Sequence, residues 1–237
     1  MTIDNNTISM TVKQHKDVKT PFISVVVPTR NRAELLTQSA LPTVLQQTFE
    51  DFELVICDNA SSDDTEERVM ALKDNRIKFF RSEEWIPKED FFQWSLERAT
   101  GEYSMLFFDD DALCRRALEK CHAILREKPV EALTFARSLV YHFPNWHAPK
   151  YRNVLSIPQF SKKAFLIDSR RHLERVYQHM DILGETPMVT NALYRSSFIK
   201  DLADQHGRLF PHGHMGDYNV ACWILNYTKE FVYLDDP

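Results

Sequence analysis

Three consecutive aspartates follow an apolar segment, and their types and spacing suggest metal chemistry. Residues 103–108 read as a buried strand, and Asp109, Asp110 and Asp111 come directly after it. Clustered carboxylates repel one another, and a bound divalent cation is the usual relief. Oxygen-only ligands favour Mg²⁺ or Mn²⁺, and such ions commonly also hold a substrate phosphate. The competing interpretation is a solvated acidic loop that caps the next helix.

The bulk composition argues against several classes of protein. The chain of 237 residues has a net charge of -5 and a pI near 6.0, so no nucleic-acid partner is expected. Its 5 glycines form neither GxGxxG nor GxxxxGK(S/T), and its 4 cysteines form no CxxC pair. Glycine-rich phosphate loops and a structural zinc site are therefore not expected. No apolar run approaches the roughly 18 residues of a membrane span, so none is predicted.

The elements around the aspartates alternate between short apolar runs and amphipathic stretches. Predicted strands cover residues 23–27, 52–57, 77–80 and 103–108, and a predicted helix follows each of them. This alternation predicts an α/β fold with a mainly parallel central sheet flanked by helices. Ligands in such sheets bind beyond the carboxyl ends of the strands. Three of those ends carry residues 28–30, Asp58 and the three aspartates, so we expect them to face one crevice.

Several blocks of sequence, in this order, resemble one known family. They are ISVVVPTRNR at 23–32, QQTFEDFELVICDNASSDDT at 46–65, ATGEY at 99–103 and DDD at 109–111. The chain resembles family 2 glycosyltransferases, which have a GT-A fold, are inverting and use nucleotide-sugars. The resemblance is dense over residues 22–113 and weaker afterwards. It implies a GT-A-type, Rossmann-like fold with a smaller C-terminal acceptor-side region.

The resemblance also implies a division of the chain and its continuation. Residues 1–20 are expected to be a disordered tail, and residues 21–128 a nucleotide-sugar-binding half. Residues 129–237 would form the acceptor and catalytic-base half of the same domain. Family members commonly continue past a final strand like residues 231–234, so a continuation of the chain beyond Pro237 is left open.

Roles at the donor end follow from the resemblance residue by residue. Asp58 corresponds to the carboxylate that reads the nucleotide base. A carboxylate accepts the ring N–H of uracil or thymine, so a UDP- or dTDP-sugar is favoured. Pro28, Thr29 and Arg30 would line the base and ribose. Lys88 would neutralise phosphate charge, unless it is an ordinary surface lysine.

The aspartate cluster corresponds to the metal-binding DxD-type motif of the family. Asp109 and Asp111 are the favoured pair for Mn²⁺ or Mg²⁺, and Asp109 and Asp110 are also expected beside the nucleotide. The register stays open, because Asp110 could replace either partner. His214 is a further candidate, as a metal ligand or a diphosphate contact, with a solvated or capping histidine as the alternative.

The resemblance places a catalytic base late in the fold. Family members often show Glu-Asp at the position of Gly216-Asp217, which leaves Asp217 as the best candidate for the base. A plain helix N-cap is the alternative for Asp217. Asn191 is a candidate contact to the donor sugar or acceptor, unless it is a turn residue. Trp146 is a candidate platform on which an acceptor sugar stacks.

The implied activity is inverting, metal-dependent transfer of a sugar to an acceptor hydroxyl, in polysaccharide or glycoconjugate synthesis. The acceptor would be a glycan or lipid-linked, and the protein cytoplasmic. Peripheral association with the inner face of the membrane is left open. A catalytically degenerate nucleotide- or glycan-binding module is the main alternative. A sugar nucleotidyltransferase is less favoured, because no glycine-rich loop follows the first strand.

Overall fold

The computed structural model describes residues 20–136, 140–142, 144–145, 147–157, 159–178, 185–211 and 216–236. Its elements are, in chain order, β1 (Ile23–Thr29), α1 (Ala33–Leu35), a π-helical turn (Leu36–Ala40), α2 (Leu41–Leu45), β2 (Phe52–Asp58), α3 (Thr65–Ala71), β3 (Ile77–Arg81), α4 (Lys88–Leu96), β4 (Tyr103–Leu106), α5 (Ala117–Glu127), β5 (Ala132–Phe135), β6 (Val140–Tyr141), a 3-10 turn (Pro149–Tyr151), β7 (Leu155–Ser156), β8 (Ala164–Asp168), α6 (Ser169–Gln178), β9 (Ala192–Arg195), α7 (Ser196–His206), α8 (Gly216–Tyr227) and β10 (Glu230–Leu234).

An eight-stranded sheet forms the centre, in the order β3-β2-β1-β4-β9-β5-β10-β8. Strands β3, β2, β1 and β4 are mutually parallel, as are β5 and β10. Strand β9 runs antiparallel between β4 and β5, and β8 is an antiparallel edge strand. The predicted α/β fold with a mainly parallel sheet flanked by helices is therefore confirmed.

Helices cover both faces of the sheet, so β1 and β2 are buried throughout. Ile23, Val25 and Val27 belong to the apolar cluster that also contains α5 residues. Val26 points to the opposite cluster, with residues of α4, α7 and α8. Burial on both faces explains why these strands are apolar runs without polar alternation. No helix among the described residues is long and apolar enough to cross a membrane.

The structure differs from the predicted boundaries where the aspartates lie. Strand β4 ends at Leu106, two residues before the predicted end, and α5 begins at Ala117 rather than at 113. Phe107 N–H still donates to Val26 O at 2.8 Å, but Asp111 N–H turns back and donates to Phe108 O at 3.1 Å. A turn thus replaces the strand end and presents the aspartates.

The second half contains elements that the sequence pattern did not reveal. The predicted strand over 132–141 is wrong, because β5 ends at Phe135 and β6 pairs instead with β7. Strand β8 was missed, since its residues Phe165 and Leu166 are adjacent, apolar and half exposed. Such an edge strand shows no alternation that would mark it in the sequence.

A polar row crosses the sheet at the amino ends of the strands and fixes the turn before β4. The Ser24 hydroxyl donates to Glu53 at 2.5 Å and accepts from Gly101 N–H at 2.8 Å. Thr100 N–H donates to the same Glu53 oxygen at 2.6 Å. Gly101 lies so close to β1 that an added Cβ would stand 2.8 Å from Ser24 N and 2.9 Å from Ile23 C. Only glycine fits there without moving strand backbone.

We expect Gly101→Ala to lower the free energy of unfolding by about 2–3 kcal/mol, because the new methyl group must displace β1. Gly207→Ala is the matched control. Gly207 has a φ of 74° and no atom within 4 Å of its added Cβ, so only backbone strain of about 1 kcal/mol is expected. Urea denaturation of both variants measures the difference. Equal losses would show that the close approach at Gly101 is unimportant.

Candidate active site

The carboxyl ends of the first three strands align three polar side chains. Thr29, Asp58 and Arg81 are register partners across β1, β2 and β3. Asn59 N–H then donates to Thr29 O at 3.0 Å, which extends the pairing by one residue. A parallel sheet thus brings residues 29 and 81 to the two sides of Asp58, although they are far apart in the sequence.

Asp58 is completely buried, and its carboxylate is held by two neighbours. The Ser61 hydroxyl donates to it, and the Ser61 N–H lies 3.2 Å from the same oxygen. The Arg81 guanidinium is 3.4 Å from the other oxygen and also donates to Ser61 O at 2.5 Å. A ligand can reach the Asp58 carboxylate only if Arg81 or Ser61 moves.

Asp109 is the second buried carboxylate of the site, at 5% exposure. Thr29 donates its hydroxyl to Asp109 Oδ2 at 2.8 Å, and Arg32 donates to Oδ1 at 2.8 Å. The same Arg32 nitrogen is 3.1 Å from Asp110, which is exposed. Two members of the aspartate cluster thus share one arginine.

Electrostatics at this pair are dominated by burial of the carboxylate. Desolvation raises the pKa of Asp109 above its ordinary value, although Thr29 and Arg32 both lower it. The charge of Asp109 raises the pKa of Arg32. The ion pair therefore stabilises the charged form of Arg32, whose side chain is 49% exposed. It does not overcome the cost of burying the charged form of Asp109. The burial of Asp109 is therefore only partly compensated by its two neighbours.

The loops after β1 and β2 bind each other and so fix their positions over the strand ends. Asn31 N–H donates to Ser61 Oγ at 2.8 Å, and Ser62 N–H donates to Asn31 Oδ1 at 2.7 Å. Asn31 and Ala60 both have positive φ, 52° and 50°. For alanine this left-handed conformation costs about 1–2 kcal/mol, so the loop contacts must hold it in place.

Helix α4 links the loop after β2 to the C-terminal half. The Asn59 side chain makes two bonds of 2.8 Å to the backbone of Ile86, just before α4. The Phe92 ring of α4 packs on Phe108 at 5.4 Å and on Phe210 at 5.8 Å. The helix therefore contacts the residue before Asp109 and also the segment that leads toward α8.

Asp217 lies in the first turn of α8 and is half buried. An added Cβ on Gly216 would stand 3.7 Å from Glu89 Cγ, so the amino ends of α8 and α4 are adjacent. Burial raises the pKa of Tyr194 on β9, and the charge of Asp217 adds to that effect. Asp217 thus lies within electrostatic range of the central sheet, near the amino end of α4.

The carboxylates at this site supply part of the ligands that a hard divalent cation needs. No group of three His, Cys, Asp or Glu side chains converges to hold a metal among the residues that the structure describes. Mg²⁺ in proteins is, however, often bound by one or two carboxylates together with substrate phosphates. Asp109 and Asp110, joined at Arg32, supply such carboxylates. Asp111 is exposed beside them.

The remaining predicted residues occupy varied places. Arg30 is exposed at the end of β1, and Pro28 is buried within it. Lys88 Nζ lies 5.5 Å over the Phe92 ring. Asn191 is fully buried and donates to Thr134 Oγ1 at 2.9 Å and to Phe135 O. Trp146 and His214 lie outside the described residues.

Three residues of the site were missed by sequence reasoning. Arg32 and Arg81 hold the two buried carboxylates, and Ser61 links both loops. A signal existed for Arg32, since it follows the first strand end. Arg81 was not foreseeable without the register, because β3 was predicted to end one residue earlier.

The comparisons with known proteins agree with this architecture. The model of glycosyl transferase family 2 matches residues 24–202. The chain belongs to this family. Its match with a GalNAc(5)-diNAcBac-PP-undecaprenol beta-1,3-glucosyltransferase of Campylobacter jejuni has 37% identity over 101 residues, which are 41% of this chain and 32% of the relative. The Escherichia coli glucosyltransferase WfgD matches at 31% identity over 41% of this chain and 38% of its own length.

Solved structures support the GT-A fold. The S. aureus TarS structure in complex with UDP has a TM-score of 0.69 at 21% identity and covers 91% of this chain and 58% of its own. The mannosyltransferase PcManGT of Pyrobaculum calidifontis, solved with GDP-Man and Mn²⁺, has a TM-score of 0.58 at 19% identity. The match covers 93% of this chain and 58% of PcManGT. The chain matches only about a third of the length of the two curated relatives.

Removing the charge of Asp109 tests the desolvation at the site. Its folded-state pKa is raised, so stability from this group is present at low pH and is lost as the pH rises through that pKa. We therefore expect Asp109→Asn to melt at a higher temperature than the wild type at pH 7 without ligand. The gain should shrink as the pH falls toward 4. Thermal unfolding across this pH range measures it.

Asp110→Asn is the matched control, since Asp110 is exposed and shares the same arginine. It should leave the melting temperature nearly unchanged. A lower melting temperature for Asp109→Asn at pH 7 would contradict the analysis, because the ion pair with Arg32 would then outweigh the burial of the acid.

Proposed function

We propose that this chain is the donor-binding and catalytic part of an inverting, metal-dependent glycosyltransferase. The observation that carries the proposal is the meeting of Thr29, Arg32 and Asp109 next to the buried Asp58, at adjacent strand ends. Open α/β sheets bind ligands at this edge. The family match is consistent with this assignment.

The nucleotide would bind over the ends of β1 and β2. Asp58 would accept the ring N–H of uracil or thymine once Arg81 moves aside, which favours a UDP- or dTDP-sugar. Pro28, Thr29 and Arg30 would lie along the base and ribose. Support for a uridine nucleotide comes from WfgD, whose name specifies UDP-Glc, and from TarS, which was solved with UDP.

The diphosphate would lie beside the aspartate cluster. Mn²⁺ or Mg²⁺, held by Asp109 with Asp110 or Asp111, would stabilise the negative charge of the leaving diphosphate. Arg32 would then release Asp109 and turn its half-exposed guanidinium to the phosphate oxygens, for which its planar donors are suited. In this exchange the cation would replace Arg32 beside Asp109, and the phosphate oxygens would replace Asp109 beside Arg32.

Asp217 would act as the general base. It would take the proton of the acceptor hydroxyl as that oxygen attacks the anomeric carbon from the face opposite the diphosphate. One displacement inverts the anomeric centre, so no second nucleophilic carboxylate is needed. The packing of α4 against both Phe108 and Phe210 supports a fixed spacing between the donor and the base.

A lipid-linked or glycan acceptor fits the curated relatives, since the names of both specify undecaprenol-linked acceptors. We propose such an acceptor here, in glycoconjugate or polysaccharide synthesis. The protein would then work in the cytoplasm, associated peripherally with the inner face of the membrane.

A thermal-shift panel of UDP, dTDP, GDP and CMP, each with Mn²⁺ and with EDTA, tests donor binding. We expect UDP or dTDP with Mn²⁺ to raise the melting temperature, because ligands that bind only the native state stabilise it. At about 100 times Kd the gain is about 2.7 kcal/mol, or roughly 5–10 °C for a domain of this size. EDTA should remove most of it.

Asp58→Asn should abolish the preference for uracil or thymine nucleotides, whereas Asp74→Asn, at the opposite edge of the sheet, should keep it. Arg32→Ala should weaken UDP but leave uridine, which has no phosphate, unchanged. No shift with any nucleotide would count against donor binding by this chain.

Asp217→Asn should leave the UDP-induced shift intact and lower the transfer rate by about 10²–10⁴-fold, the usual effect of losing a general base. The rate is measured as UDP release from UDP-Glc with GlcNAc-diphosphoundecaprenol as the acceptor probe. Asn219→Ala, an exposed change in the same helix, is the control. Unchanged turnover in Asp217→Asn would leave Asp217 as a helix cap. Nucleotide binding without turnover in the wild type would favour a catalytically degenerate binding module.

A further inference from the structure

A cavity of about 650 Å³ lies between α4 and α7, at the amino end of β4. Its volume is within the roughly 300–1,000 Å³ of pockets that bind small molecules. The aspartates follow the other end of β4, so this cavity and the candidate active site lie at opposite edges of the sheet. None of the residues assigned to donor binding or catalysis lines it.

A buried hydroxyl without a partner lies in the wall of this cavity. Ser104 is 1% exposed, and its Oγ has no hydrogen-bond partner among the described residues. The alternation of β4 directs it toward α4 and α7, since Tyr103 and Met105 belong to the opposite cluster. Its register partner Ser24 is fully bonded. Buried hydroxyls are rarely unpaired, so Ser104 marks a place for a ligand atom.

The rest of the lining combines apolar walls with a polar rim. Leu96, Ile199 and Leu209 are buried, whereas Glu97, Lys200 and Asp204 are exposed at the rim. Two carboxylates against one ammonium leave the rim with a net negative charge. An anionic ligand is therefore disfavoured. A neutral molecule with C–H faces and several hydroxyls matches both parts of the lining.

We propose that this cavity binds a neutral saccharide unit, at a site separate from the site of transfer. A sugar hydroxyl would pair with Ser104, and further hydroxyls would donate to Glu97 and Asp204. The C–H face of the ring would pack on Leu96 and Ile199. The assignment depends on the cavity alone. If the proposed transferase activity also holds, the bound unit would be a remote sugar of the acceptor or product.

Amide NMR titration of the full chain tests the site, with the methyl glycosides of glucose, galactose and GlcNAc as probes. We expect saturable shifts at Gly101, Ser104 and Ser197, with a Kd on the order of millimolar for so small a ligand. Glucose 6-phosphate should bind more weakly. Ala203→Phe, which places a ring in the cavity, should abolish the shifts. Ala123→Phe, an exposed change on α5, should retain them.

Ser104→Ala is a second variant, which keeps the test decisive if Ala203→Phe does not fold. Because the hydroxyl makes no bond in the described structure, its loss should leave the melting temperature unchanged and weaken the saccharide at least about threefold, as expected for one lost hydrogen bond. Absence of saturable shifts up to about 100 mM, equal binding to Ala203→Phe or a preference for the phosphate would overturn the proposal. A UDP titration on the same sample separates this outcome from failure of the donor site.

Discussion

Two carboxylates withdrawn from water at neighbouring strand ends govern the architecture of the candidate site. Asp58 and Asp109 lie on either side of Thr29, and each is held by one hydroxyl and one arginine. Burying an ionised carboxylate without such partners costs several kcal/mol. Arg32 and Arg81 remain 49% and 40% exposed, so they supply charge while keeping part of their contact with water. The loops after β1 and β2 supply Arg32 and Ser61, and hydrogen bonds between these loops hold both groups in place.

The same loops determine how the two halves of the chain meet. The Asn59 amide bonds both backbone groups of Ile86 and thereby fixes the point at which α4 begins. At its amino end α4 lies beside the amino end of α8, where Gly216 precedes Asp217, and further along the helix Phe92 packs on Phe108, next to the aspartates. The described contacts between the strand-end loops and the amino end of α8 therefore run through one side-chain amide and one short helix.

The sequence was sufficient to predict elements with a simple hydrophobic pattern. It was insufficient where strand register or surface exposure determines the structure. Strands β1 and β2 are apolar because helices cover both their faces, and that makes them visible in the sequence. Strand β8 is an exposed edge, so its apolar pair Phe165 and Leu166 carries no such signal. The strand ends also predicted that Thr29, Asp58 and Asp109 would share a crevice. Arg81 could not be added to that set, since only the alignment of β3 with β2 brings it to Asp58.

Two buried acids at opposite edges of the sheet differ in how completely their burial is compensated. Glu53 and Asp109 are both nearly inaccessible, at 3% and 5% exposure. Burial raises the pKa of Glu53, but bonds from Lys78, Ser24 and Thr100 outweigh it and hold that pKa below its ordinary value. The pKa of Asp109 stays raised, because Thr29 and Arg32 compensate only part of its burial. This fold can thus satisfy a buried carboxylate completely, and it does so at the amino edge, where Glu53 holds the turn of Gly101. At the carboxyl edge the burial of Asp109 is compensated only in part. At the same edge, Ala60 in the loop after β2 keeps a strained backbone. Incompletely compensated buried carboxylates of this kind occur often at ligand-binding and catalytic sites.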